Sequence, residues 1–145
     1  MYLLDTNVVS ELRKVKAGRA DRHVSRWAQS VPASRLFMSV ISLMELESGV
    51  LLILRRDAAQ GAVLRAWLAN QVRPAFAGRI LPVDEAVALR CAPLHVPDPR
   101  PERDALIAAT ALVHGMTVVT RNVADFLPMG VLLYNPWTPT VAGRP

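Results

Sequence analysis

The run Tyr2-Leu3-Leu4 stops at Asp5-Thr6-Asn7, and Val8, Val9 and Leu12 at once begin a helical pattern. A three-residue apolar run is too short for a helix and has no polar alternation, so it reads as a strand buried on both faces that feeds directly into a helix. The same unit recurs. Leu36–Val40 reads as a second strand, followed by Ser42-Leu43-Met44-Glu45, which has the spacing of a capping box (Ser at N-cap, Glu at N3) opening a helix towards Arg56. Ile80–Val83 reads as a third strand, with Asp84 capping the helix after it, and Met116–Thr120 and Val131–Tyr134 read as two more. Helices are expected around Val24–Ala28, over Gln60–Val72 and over Glu102–His114, the last ended by Gly115, and Pro93–Pro101 reads as a loop. Short apolar strands alternating with helices imply an α/β fold, a three-layer α/β/α sandwich around a mainly parallel sheet, in a single domain over 1–145.

Composition narrows the classes. Hydrophobic residues make up 52% of the 145 positions, which excludes a mostly disordered chain. The longest charge-free stretches, Ala105–Thr120 and Phe126–Gly143, are short or broken by proline, so no membrane span is expected. No secretory signal is read before the first strand, and a single cysteine, Cys91, suits a reducing cytoplasm and a place in the core. Seventeen basic residues against twelve acidic ones give a net charge of +5, and Arg13, Lys14, Lys16, Arg19, Arg22 and Arg26 concentrate the excess early. Such a balance favours an anionic partner such as nucleic acid.

Ligands of a parallel sheet sit outside the carboxyl ends of its strands. Asp5 ends the first strand, Glu45 opens the helix after the second, Asp104 lies in the first turn of the helix after the proline-rich loop, and Asp125 lies just beyond the Met116–Thr120 strand. These four carboxylates are expected to converge. Each also has a plain structural use: Asp5 as a cap, Glu45 as a capping-box partner, Asp104 against the helix dipole and Asp125 in a turn. Two carboxylates about 6 Å apart repel by roughly 3 kcal/mol at an effective dielectric near 20. Four gathered on one edge therefore call for a hard divalent cation, Mg²⁺ or Mn²⁺, which activates water and steadies the leaving oxygen at a phosphodiester. Glu47 reads as a solvated helix face, Trp27 and Trp67 as core or dimer contacts, Trp137 as packing the C-terminal segment, and His95 as a remote general base.

The segments Leu-Leu-Asp5-Thr6-Asn7, Glu45-Leu46-Glu47-Ser48-Gly49, Asp104-Ala-Leu-Ile-Ala-Ala-Thr-Ala and Thr120-Arg121-Asn122-Val-Ala-Asp125-Phe, in this order, resemble the PIN-domain ribonucleases. Within them the chain is similar to the VapC toxins of bacterial toxin–antitoxin pairs, in the FitB-like branch. The resemblance implies that Asp5, Glu45, Asp104 and Asp125 hold Mg²⁺ or Mn²⁺ and activate the attacking water. It implies that Thr6, Asn7, Thr120, Arg121 and Asn122 line the site and orient the acids or the RNA substrate, transfer RNA foremost. It further implies a homodimer and a cognate VapB-like antitoxin, in a heterotetramer or larger assembly. The rival reading is a non-catalytic module that binds nucleic acid and antitoxin as a regulator. A phosphatase-like acidic site is disfavoured because Asn7 stands where Asp-x-Asp would need its second Asp, and a receiver because the chain's lysines, Lys14 and Lys16, are both early.

Overall fold

The computed structural model describes residues 1–138; residues 139–145 of the expected single domain lie outside the described part. Its elements in chain order are β1 (Tyr2–Leu4), α1 (Thr6–Leu12), α2 (Arg22–Ser30), β2 (Leu36–Ser39), α3 (Val40–Arg56), α4 (Ala58–Trp67), α5 (Arg73–Ala75), β3 (Ile80–Leu81), α6 (Glu85–Cys91), α7 (Glu102–His114), β4 (Thr117–Val119), α8 (Val123–Phe126) and β5 (Leu133–Tyr134). The five strands form one sheet in the order β3-β2-β1-β4-β5, every described pair parallel. β1 is central, with Leu3 opposite Phe37 on one side and Val118 on the other.

Period-two geometry sends successive side chains of β1 to opposite faces. Leu3 packs with Ile107, Ala108, Val118 and Phe126, whereas Leu4 packs with Val8, Met38, Leu46 and Val119. Helices α6 and α7 cover the first face, and α1, α3 and α4 cover the second, which gives the expected α/β/α sandwich. Cys91 is in the first core, at 6% exposure. The small side chains Ala105, Ala108, Ala109 and Ala111 are wholly buried, so α7 lies close against the sheet. Gly115 ends it with φ +66°, a backbone conformation costly for any residue with a Cβ.

Several boundaries differ from the sequence reading, and one matters. Register pairs Ser39 with Leu81, so the chain stays extended through Ser39 and turns into α3 immediately afterwards. Ser39, not Ser42, is therefore the N-cap, its hydroxyl accepting from the Ile41 N–H at 3.0 Å. Ser42 lies inside the helix, fully buried, with no partner for its hydroxyl among the described residues. Glu45 is thereby moved from the third helical position to the second turn and has no capping duty. The helix read over Gln60–Val72 begins at Ala58, and beyond Trp67 it widens into a π turn at Leu68–Val72 before α5. Pro93–Pro101 opens on a 3₁₀ turn, Ala92–His95, and α8 was not anticipated at all. Among the described residues no helix is long and apolar enough to cross a membrane.

The two serines give opposite expectations. Ser39→Ala removes a cap and should cost about 1 kcal/mol of stability in a denaturant melt. Ser42→Ala removes a buried hydroxyl that satisfies nothing and should leave stability unchanged or raise it.

Candidate active site

Asp5 is the first residue beyond β1 and the N-cap of α1, with 6% of its surface exposed. One oxygen, Oδ1, accepts from the Thr6 backbone N–H at 2.8 Å. The other, Oδ2, accepts from the Thr120 hydroxyl at 2.8 Å and from Asn7 Nδ2 at 3.3 Å. Thr120 is fully buried at the end of β4, so it lies beneath the carboxylate rather than beside a substrate. Its hydroxyl also accepts from the Asn122 N–H at 3.0 Å. Asn7 is fixed at both ends of its amide, since its Oδ1 accepts from the Arg121 N–H at 3.2 Å. The ends of the two adjacent central strands are thus joined through one carboxylate.

The Thr6 hydroxyl, on the other side of the same turn, donates to Glu45 Oε1 at 2.5 Å and so holds α3 against the start of α1. Asp104 sits in the first turn of α7 and Asp125 in the first turn of α8. Asp5, Thr6, Asn7, Glu45, Asp104 and Asn122 line one open cleft of about 320 Å³ at the carboxyl ends of β1, β2 and β4. Asp125 is exposed and does not line the cleft, yet its charge reaches both Asp5 and Asp104. Arg121 meets the site through its backbone; its guanidinium lies over the Trp137 ring, 5.2 Å from the centroid.

Crowding is visible in the proton affinities. Burial raises the Asp104 carboxyl to about 6, helped by the charges of Asp5, Asp125 and Glu45. Burial also pushes Asp5 above its ordinary value, against the pull of the Thr120 and Thr6 hydrogen bonds. A cation absent from the sequence reading stands at the rim: Arg103 Nη1 is 3.6 Å from Glu45 Oε2. Its position next to Asp104 in the first turn of α7 was the one available signal. The remaining candidates lie elsewhere. Glu47 is bound bidentately by Arg65 at 2.6 and 2.8 Å, which lowers its pKa. His95 accepts the Arg100 N–H at 3.1 Å, approaches Cys91 Sγ at 3.8 Å and does not line the cleft.

In kind, the donors are all hard oxygens, the set that suits Mg²⁺ or Mn²⁺. In spacing, no three His, Cys, Asp or Glu side chains among the described residues are gathered closely enough to hold an ion.

The PIN domain family model matches residues 2–126. The toxin FitB of Neisseria gonorrhoeae is 37% identical over 142 residues, covering 94% of this chain and 99% of that protein. VapC ribonuclease Y4jK of Sinorhizobium fredii is 35% identical over 144 residues, covering 96% and 99% respectively. The solved structure of FitAB bound to an IR36 DNA fragment superimposes with a TM-score of 0.86 at 35% identity, covering 98% of this chain and 99% of that one.

Because the folded protein holds the Asp104 proton more tightly than the unfolded chain does, metal-free stability should fall as pH rises from about 4 through about 6 and stay low above it. Thermal melts in EDTA across that range should show the fall, and Asp104→Asn should flatten it. A variant melting curve as steep in pH as the parent's would contradict the raised proton affinity of Asp104.

Proposed function

The chain belongs to the PIN-domain family, among the FitB and VapC toxins, and on that premise we propose that it is a Mg²⁺- or Mn²⁺-dependent endoribonuclease, the toxin of a toxin–antitoxin pair. It acts in the cytoplasm as a single PIN domain over 1–145 and hydrolyses RNA phosphodiester bonds, transfer RNA being the substrate class that the resemblance favours. The observation that carries this reading is the convergence of Asp5, Glu45 and Asp104 on one cleft with Asp125 in electrostatic reach. Such a grouping opposes folding and has no structural use that one Asn or Ser would not serve.

The division of labour follows from the hydrogen bonds. Asp5, Glu45, Asp104 and Asp125 would hold Mg²⁺ or Mn²⁺, which when bound would supply charge neutralisation and a lowered pKa for water at the scissile phosphate. Thr120 and the Thr6 N–H hold Asp5 in one orientation. The Thr6 hydroxyl occupies one oxygen of Glu45, so its other oxygen, at present against Arg103, is the one placed to take the proton of the attacking water. Asn7 and Asn122 offer polar groups to the phosphate from the cleft wall. Attack by water rather than by the RNA 2′-hydroxyl leaves a 5′-phosphate and a 3′-hydroxyl.

A VapB-like antitoxin, encoded alongside, would inhibit the toxin, and a homodimer of this chain would assemble with it into a heterotetramer or larger. The FitAB complex on DNA favours a second reading, in which the chain acts only as a regulatory module that binds antitoxin and nucleic acid. Incubation of the antitoxin-free protein with total RNA decides between them. Discrete cuts are expected with Mn²⁺ or Mg²⁺ and none in EDTA, and Asp5→Asn should slow them by at least about a hundredfold. Cutting by the variant at the parent rate would sink the nuclease mechanism; no cutting by the folded, free parent protein would favour the module.

A further inference from the structure

The arginines of the chain differ in how firmly they are held. Arg65 grips Glu47 with two short bonds, at 2.6 and 2.8 Å. Arg79 donates to the carbonyl oxygens of Ala33, Leu36 and Ala75 and lies over the Phe76 ring. The Arg121 guanidinium lies over Trp137. Arg103 is held in another way. Its side chain is 56% exposed, and Nη1 stands 3.6 Å from Glu45 Oε2, beyond the roughly 2.8 Å of a charge-assisted hydrogen bond. Among the described residues this is its one ion pair, although Glu102 and Asp104 are its chain neighbours.

A single exposed pair returns little against the rotamer entropy of resting a long side chain in one place. Glu45, however, does not act alone. Its charge and those of Asp5 and Asp125 all reach Asp104. The excess negative charge of the cleft, rather than the fit of the pair, is what draws the guanidinium in. Whatever brings positive charge into the cleft therefore loosens Arg103. The oxygen that Arg103 covers also matters, because the Thr6 hydroxyl already occupies Glu45 Oε1 and leaves Oε2 as the free one.

We propose that Arg103 is a substrate-binding residue that exchanges one anion for another, a reading that rests on the ribonuclease activity proposed above. In the resting protein it covers Glu45 Oε2. In the RNA complex its guanidinium turns to a backbone phosphate and leaves that oxygen open to the proton of the attacking water. Glu45 lines the cleft, so a group 3.6 Å from its carboxylate stands at the mouth through which the phosphate enters. The planar fork of arginine matches two non-bridging phosphate oxygens, and the pair given up for them is loose and exposed. Access to the base is thereby tied to the presence of RNA.

The test uses the full chain, free of antitoxin. A short fluorescein-labelled oligouridylate is titrated by anisotropy in an Asp5→Asn background, so that the RNA stays intact. Arg103→Ala should weaken binding by about tenfold, the contribution of one charge-assisted contact. It should also flatten the salt dependence by about 0.7 in log–log slope, one phosphate contact on a single strand, whereas Arg103→Lys should keep the slope. With Asp5 restored, Arg103→Ala should raise KM for RNA cleavage by a similar factor without lowering kcat. Calorimetry with Mn²⁺ alone should show the ion bound by Arg103→Ala at least as tightly as by the parent, because a competing cation is gone. An unchanged melting temperature separates lost binding from lost folding. RNA binding and KM at parent values, with the parent cleaving, would mean that Arg103 only screens the acids, and the proposal falls while the nuclease stands. A fall in kcat at unchanged KM, or weaker Mn²⁺ binding, would place Arg103 in the acid site itself and equally overturn it. No RNA cleavage by the parent would remove the nuclease reading and the exchange with it.

Discussion

The carboxylate of Asp5 is the constraint on which the rest of the site depends. It caps α1, receives the Thr120 hydroxyl from the end of β4 and stands 6% exposed beneath an open cleft. A buried charge is tolerated only when its lone pairs are occupied, and three donors occupy these: the Thr6 N–H, Thr120 Oγ1 and Asn7 Nδ2. Once Asp5 is fixed, little choice is left around it. Thr120 must be a hydroxyl, because it donates to Asp5 and accepts from the Asn122 N–H; Asn7 must be an amide, because it donates on one side and accepts from the Arg121 N–H on the other. The two tripeptides Asp5-Thr6-Asn7 and Thr120-Arg121-Asn122, far apart in sequence, are one structural object.

This explains which parts were legible in the sequence. A short apolar run ending in Asp-Thr-Asn is a local signal, and β1, α1 and the position of Asp5 were read from it directly. Helix α7 was read to the residue because alanine-rich periodicity and a terminal glycine agree. The start of α3 was misread for a physical reason. Ser39 and Ser42 are both acceptable caps, and the Glu at 45 tipped a purely local rule to Ser42. Pairing of β2 with β3 keeps the backbone extended through Ser39 and overrides that rule. The correction changes what Glu45 is for: relieved of capping, it takes the Thr6 hydroxyl and faces the cleft. Helix α8 spans only Val123–Phe126, too short for any periodicity to mark it. The Arg103 contact had only its place beside Asp104 as a signal, because the contact itself needs α3 and α7 to be packed together first.

Arg103 bears on how far the described side chains neutralise the site. A half-exposed arginine 3.6 Å from Glu45 contributes at most about 1 kcal/mol, and salt weakens it further. Against this stand the burial of Asp104, which raises its carboxyl to about 6, and the charges of Asp5, Asp125 and Glu45, which add to that rise. Among the described residues one rim cation touches one of the four acids, so the cluster is under-neutralised there even though the chain as a whole carries an excess of +5. The chain has arginine to spare and places it elsewhere: Arg65 on Glu47, Arg121 over Trp137, Arg13 over Trp67. A fold selected for stability alone would pair the cleft acids with some of these or replace the acids by amides. Carboxylates left short of positive charge at an open cleft are the physical ground for the cation proposed above, since relief of their mutual repulsion would contribute to its binding.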